Sequence, residues 1–171
     1  KMVLKIRKYG DKVLRETSTP VEKIDEEILK ILDDMVDTMK DAQGVGLAAP
    51  QVGVNKNMFV LDVGDGKIRK IINPEFIEIS KEEVENEEGC LSIPGIYKKV
   101  RRAERVKLKY LNEKGEEVVE EGTELLGRAF QHEYDHLKGE LFVDKISPVA
   151  KRLVSSKLSK LKKETEKEGG N

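Results

Sequence analysis

Between residues 25 and 41 apolar side chains return at helical spacing: Ile28, Leu32, Met35, Val36 and Met39. Positions three and four apart share one face of a helix, so this segment predicts an amphipathic helix. Asp25 is placed to cap its start, acids fill the first turn, and Gly44 follows its end. Residues 44–53 break the pattern and carry too much Gly and Pro for a regular element. They predict an ordered loop in which backbone comes close to something else. From 57 to 121 the period shortens to that of strands, predicted at 58–63, 68–72, 75–79, 106–111 and around Val118. Thr123 is placed to cap a helix running to Leu137, with Gly139 as its terminator. A last helix over about 148–166 follows Ser147-Pro148, and 167–171 reads as a frayed tail. The pattern predicts an α+β fold, with mostly antiparallel strands packed around the second of these helices. One helix precedes the strands and another closes the chain.

Composition adds constraints. The 171 residues fit one domain covering 1–171, with no repeat and no linker before about residue 150. Charged residues make up 38% of the chain yet nearly cancel, to a net −1, so nothing global points to DNA or to a membrane surface. No apolar run approaches the roughly 20 residues that cross a bilayer. A single cysteine, Cys90, excludes an internal disulfide, and no export signal is visible, so a reducing cytoplasm is expected.

Both histidines of the chain, His132 and His136, lie in one pentapeptide, His-Glu-Tyr-Asp-His. On the predicted helix they stand one turn apart on one face and can grip a divalent metal, with Glu133 close enough to handle the protons of a water held there. Random placement of two histidines would give this arrangement about one time in a thousand. An open catalytic site uses three protein ligands. No further histidine exists, and Glu140 and Asp144 sit too close behind the helix to curl back. Cys90 is the better third donor, because a thiolate suits Zn, Fe(II) and similar ions. Gln51 is an uncharged polar group in an otherwise apolar and glycine-rich stretch, which implies a hydrogen-bonding duty, structural or catalytic. Two other readings share the pentapeptide: a helical metalloprotease, which wants a downstream third ligand, and a non-enzymatic structural metal site, which wants a fourth.

Three segments in order resemble the peptide deformylases: Gly44-Val45-Gly46-Leu47-Ala48-Ala49-Pro50-Gln51, Glu88-Gly89-Cys90-Leu91-Ser92 and Gln131-His132-Glu133-Tyr134-Asp135-His136. Flanking residues (Asp11, Leu14 and Arg15; Asp144, Ile146 and Ser147) extend the likeness over most of the chain. The lack of a long insertion before Cys90 and the closing helix resemble the form found in many Gram-negative and related bacteria. The resemblance implies a metallohydrolase that removes the formyl group from N-formylmethionyl nascent peptides and releases formate. It makes Cys90, His132 and His136 the ligands of one divalent ion, Fe(II) in the cell with Zn, Ni or Co as substitutes. It makes Glu133 the general base and acid, and the Gln51 side chain and Leu91 backbone N–H the oxyanion donors. It has the substrate pair with backbone at Val45, Gly46 and Gly89. Ala129, one turn before His132, forms with Val45 a wall for the methionine side chain.

The closing helix carries six basic residues and no acid between Lys151 and Lys163. Leu153, Val154, Leu158 and Leu161 are spaced to pack while the basic face stays in water. Formylated chains emerge at the ribosome, so a charge-based contact with ribosomal RNA is the partner this face suggests beside plain solvation.

Overall fold

In the computed structural model, which describes residues 2–169, Asp25 begins the first helix. Its carboxylate accepts from Ile28 N–H at 3.0 Å, and α1 (Glu26–Asp41) runs from there with Glu26 and Glu27 in its first turn. The predicted apolar row is buried, so this element forms for the reason its sequence gives. The left-handed residue that ends it is Gln43, at φ 57°, and not Gly44.

The segment read as an irregular loop contains structure. Gly46–Ala48 is a short strand, β1, and Ala49–Val52 is a single 3-10 turn with Pro50 inside it. β2 (Met58–Leu61) is shorter than expected, although Asp62 N–H still reaches Val45 O. The two strands expected at 68–72 and 75–79 are one bulged strand, β3 (Arg69–Ile79). Asn73 (φ 53°) bends the chain there, and its side-chain amide pairs with both the N–H and the C=O of Val21. What reads as a turn signal is therefore a bulge pinned to the N-terminal segment.

Two strands were not expected. β4 (Glu83–Cys90) and β5 (Ile93–Ala103) form a separate antiparallel ribbon. Glu-Val-Glu-Asn-Glu-Glu shows no apolar alternation, because the face it turns inward carries Glu88 and meets Arg102 from β5. β6 (Arg105–Leu111) and β7 (Glu117–Thr123) complete a five-stranded antiparallel sheet in the order β1-β2-β3-β6-β7.

The period-two pattern separates the two faces of that sheet. Leu47, Met58, Val60 and Ile72 pack with α1. Ala48, Phe59, Leu61, Ile71, Val106 and Leu108 pack with Phe130 and Leu137 of α2 (Glu124–Leu137). Thr123 stands at the cap position of α2, but its side chain accepts no hydrogen bond from the helix. Gly139, at φ 75°, follows the helix end as predicted.

The closing helix, α3 (Pro148–Lys167), is capped by Ser147, whose hydroxyl accepts from Ala150 N–H at 3.1 Å. Its packing row is Ala150, Val154, Leu158 and Leu161, against Phe142, Ile146 and Tyr9. Leu153, expected in that row, is 68% exposed. Of the tail expected to fray over 167–171, Lys167 is helical, Glu168 and Gly169 form a turn, and 170–171 lie outside the described residues.

Candidate metal centre

α2 presents His132 and His136 one turn apart, their ring centroids separated by 5.2 Å. Cys90, at the last position of β4, is brought against them, with its Sγ 3.4 Å from His136 Nε2. One donor atom from each of Cys90, His132 and His136 falls within 4.8 Å of the others. Among the described residues this is the one group of histidine, cysteine and carboxylate side chains so arranged. A sulfur and two imidazole nitrogens from two elements fit a divalent transition metal, and three protein donors leave a coordination position open.

The tautomer of His132 is set from behind. Its Nδ1 lies 2.9 Å from Glu88 Oε1, which leaves Nε2 for the donor cluster. Glu88 also accepts from Arg102 at 2.8 and 2.9 Å and from Arg128. Arg102 reaches on to Asp135, one residue before His136. Burial alone would push the Glu88 carboxyl up, but Arg102 and His132 outweigh it and hold it well below the usual carboxylate range. The sequence alone assigns no role to Glu88, Arg102, Arg128 or Asp135. The signal for Glu88 was its place two residues before Cys90; the arginines carried none.

Glu133 is 5% exposed, and its Oε1 has no hydrogen-bond partner. Burial pushes its carboxyl up to about 7, with His132 opposing and Glu88 adding to the rise. A buried carboxylate oxygen without a partner is costly unless something mobile, such as water, meets it in use. A Cβ on Gly46 would stand 2.5 Å from Glu133 Oε2, so any side chain at that point of β1 would push the Glu133 carboxylate aside.

Two of the donors, Cys90 and His132, line a cleft of about 370 Å³. Val45, Gly46, Gly89, Leu91 and Ala129, all expected around the site, line it together with Gln51, Cys90, His132 and Glu133. His136 lies behind His132, buried, and does not line the cleft. Pro94, Tyr97, Leu125 and Arg128 extend the walls. Glu140 and Asp144, set aside as ligands, pair with Lys145 and Arg15 instead.

The family model described as polypeptide deformylase matches residues 3–152, which include every donor named above. The chain belongs to the polypeptide deformylase family. A peptide deformylase from Fusobacterium nucleatum is 55% identical over 168 residues, 97% of each chain. The crystal structure of a Thermotoga maritima deformylase superposes with a TM-score of 0.84 at 49% identity, covering 86% of this chain and all of that one. An Ehrlichia chaffeensis deformylase, solved in complex with actinonin, gives 0.89 at 39% identity over 94% and 98% of the two chains. As a deformylase the chain is a hydrolase with one metal site, and the metalloprotease and structural-metal readings of the pentapeptide give way. No helix among the described residues is long and apolar enough to cross a membrane.

Proposed function

We propose that this deformylase removes the formyl group from N-formylmethionyl peptides in the bacterial cytoplasm, using a divalent ion held by Cys90, His132 and His136. The observation that carries the reading is the convergence of these three donors, two of them lining a cleft, beside a carboxylate oxygen that has no partner. A divalent ion there supplies a Lewis acid that makes water a nucleophile near neutral pH. Glu133 takes the proton of the attacking water and returns it to the departing amine. As the formyl carbon becomes tetrahedral its oxygen gains charge, which the Gln51 amide and Leu91 N–H receive. β1 is an edge of the five-stranded sheet, so an extended peptide has open backbone to pair with at Val45 and Gly46, and Gly89 faces it across the cleft. Val45 and Ala129 border the slot for the methionine side chain.

The thiolate–imidazole donor set accepts Fe(II), Zn, Ni and Co, and we assign Fe(II) as the ion in the cell on the family likeness. The test is formate release from formyl-Met-Ala-Ser by anaerobically purified protein, with metal analysis of the same sample. One metal per chain, loss of activity on chelation and recovery with Fe(II) are expected. Formate release that survives complete removal of metal would overturn the reading.

A contact of α3 with the ribosome is supported by the six basic residues between Lys151 and Lys163, all exposed. Truncation after residue 150 should spare short-peptide hydrolysis while abolishing low-salt co-sedimentation with ribosomes. Equal sedimentation of the truncated form would leave α3 with packing and solubility alone.

A further inference from the structure

The Gln51 side chain is held at both ends. Its Oε1 accepts from Ala48 N–H at 2.9 Å, which fixes the end of the amide that is nitrogen. Its Nε2 donates to the Ser92 hydroxyl at 3.0 Å and lies 3.6 Å from Cys90 Sγ. An amide nitrogen carries two protons in one plane. With one given to Ser92, the other is turned to the Cys90 sulfur, at the wall of the cleft. Ser92 is 0% exposed, so no water can take its place from bulk solvent.

The segments that carry these residues are also joined from behind. Arg7 N–H donates to Gln51 O at 2.6 Å, and Tyr9 N–H donates to Ser92 O at 2.9 Å. Residues two apart on an extended chain turn their N–H groups to the same side. Residues 7–9 therefore bridge the Ala49–Val52 turn and the β4–β5 turn as a short extra strand would. Gln51 and Leu91, the two proposed oxyanion donors, sit on the two segments so joined.

We infer that Ser92, braced by the backbone of Tyr9 as Gln51 is by that of Arg7, is a positioning residue that fixes the Gln51 amide at the place where the oxyanion forms. The inference rests on the deformylase reading. It assigns Ser92 no contact with substrate. Without its hydroxyl the amide keeps the Ala48 bond and the long contact to the Cys90 sulfur, too little to hold its plane, so the donor is still present but no longer aimed.

A merely structural serine would affect stability and metal content, and its loss would add to that of Gln51. A positioning residue acts through Gln51 alone. Zinc-loaded, full-length Ser92→Ala, Gln51→Leu and the double variant separate the two. Ser92→Ala should lower kcat on the order of tenfold, with KM and bound zinc unchanged. Gln51→Leu should lose more, and the double variant should be no slower than Gln51→Leu. In ¹⁵N spectra the Gln51 side-chain NH2 should exchange slowly with solvent in the parent protein and much faster in Ser92→Ala. Additive losses, an unchanged kcat in Ser92→Ala, or unchanged NH2 exchange would overturn the inference. A Gln51→Leu variant with full kcat would overturn it too, by removing Gln51 from the reaction. Parent protein that releases no formate would overturn the deformylase reading instead, and the NH2 exchange would still decide whether Ser92 holds the amide.

Discussion

The roles proposed for Glu133 and Cys90 are ones that single substitutions can separate. Glu133 faces the cleft with an unpartnered oxygen and is not one of the converging donors. Glu133→Ala should therefore keep its metal while losing on the order of a hundredfold or more in turnover. Cys90→Ala leaves two imidazoles, too few for firm binding, and should lose metal and activity together. Metal analysis beside the formate assay checks both; metal lost in step with activity in Glu133→Ala would make that residue structural. The donors were legible in the sequence because histidine and cysteine are scarce here and their spacing has a mechanical meaning. Glu88 was not, although its carboxylate orients His132. It is one of many acids in the chain, and only the fold distinguishes it by burying Arg102 against it.

At the scale of elements, legibility followed the kind of core each element rests on. α1 and β2 sit on aliphatic packing, and their apolar positions announced them. The β4–β5 ribbon sits partly on buried ion pairs among Glu88, Arg102, Arg128 and Asp135, so its sequence carries no apolar pattern to announce it. The junction of β7 and α2 was half legible. Thr123 holds the cap position without capping, and the turn into the helix is made by Glu124 at φ 51°. A non-glycine residue pays about 1 kcal/mol or more for that conformation. Glu124→Gly should therefore leave the melting temperature unchanged or raise it, although glycine within α2 would normally lower it. Glu124→Val, β-branched at the same φ, should lower it. Thermal melts of the zinc-loaded variants decide the order; a Gly variant less stable than the Val variant would be inconsistent with strain at this residue.

Across the whole molecule, Arg15 ties the N-terminal region to the segment after α2. Its guanidinium meets both oxygens of Asp144, at 2.7 and 3.1 Å, and also donates to Gly139 O. Burial pushes the Asp144 carboxyl up, but Arg15 and the Leu141 N–H more than offset it, so the group ionises below its ordinary value of 3.8. A depressed carboxyl contributes stability above the unfolded value and loses it as pH falls through the folded one. Asp144→Asn should thus be less stable than the parent at pH 7, by under about 1 kcal/mol because the pair is partly exposed, and the gap should close in acid. Denaturant melts at a series of pH values measure this; a gap that widens as pH falls would contradict the ion pair as its source.

The placement of the three donors on two distant parts of the chain also sets a schedule. Gln51 and Cys90 leave the ribosome before His132 and His136 are made, and β4 offers a lone sulfur until α2 has formed behind it. The nascent chain can hold an ion firmly only once residue 136 is out and the helix has closed on the ribbon. Metal capture is then a late event in synthesis, and chains that stall earlier stay empty and take no metal out of circulation.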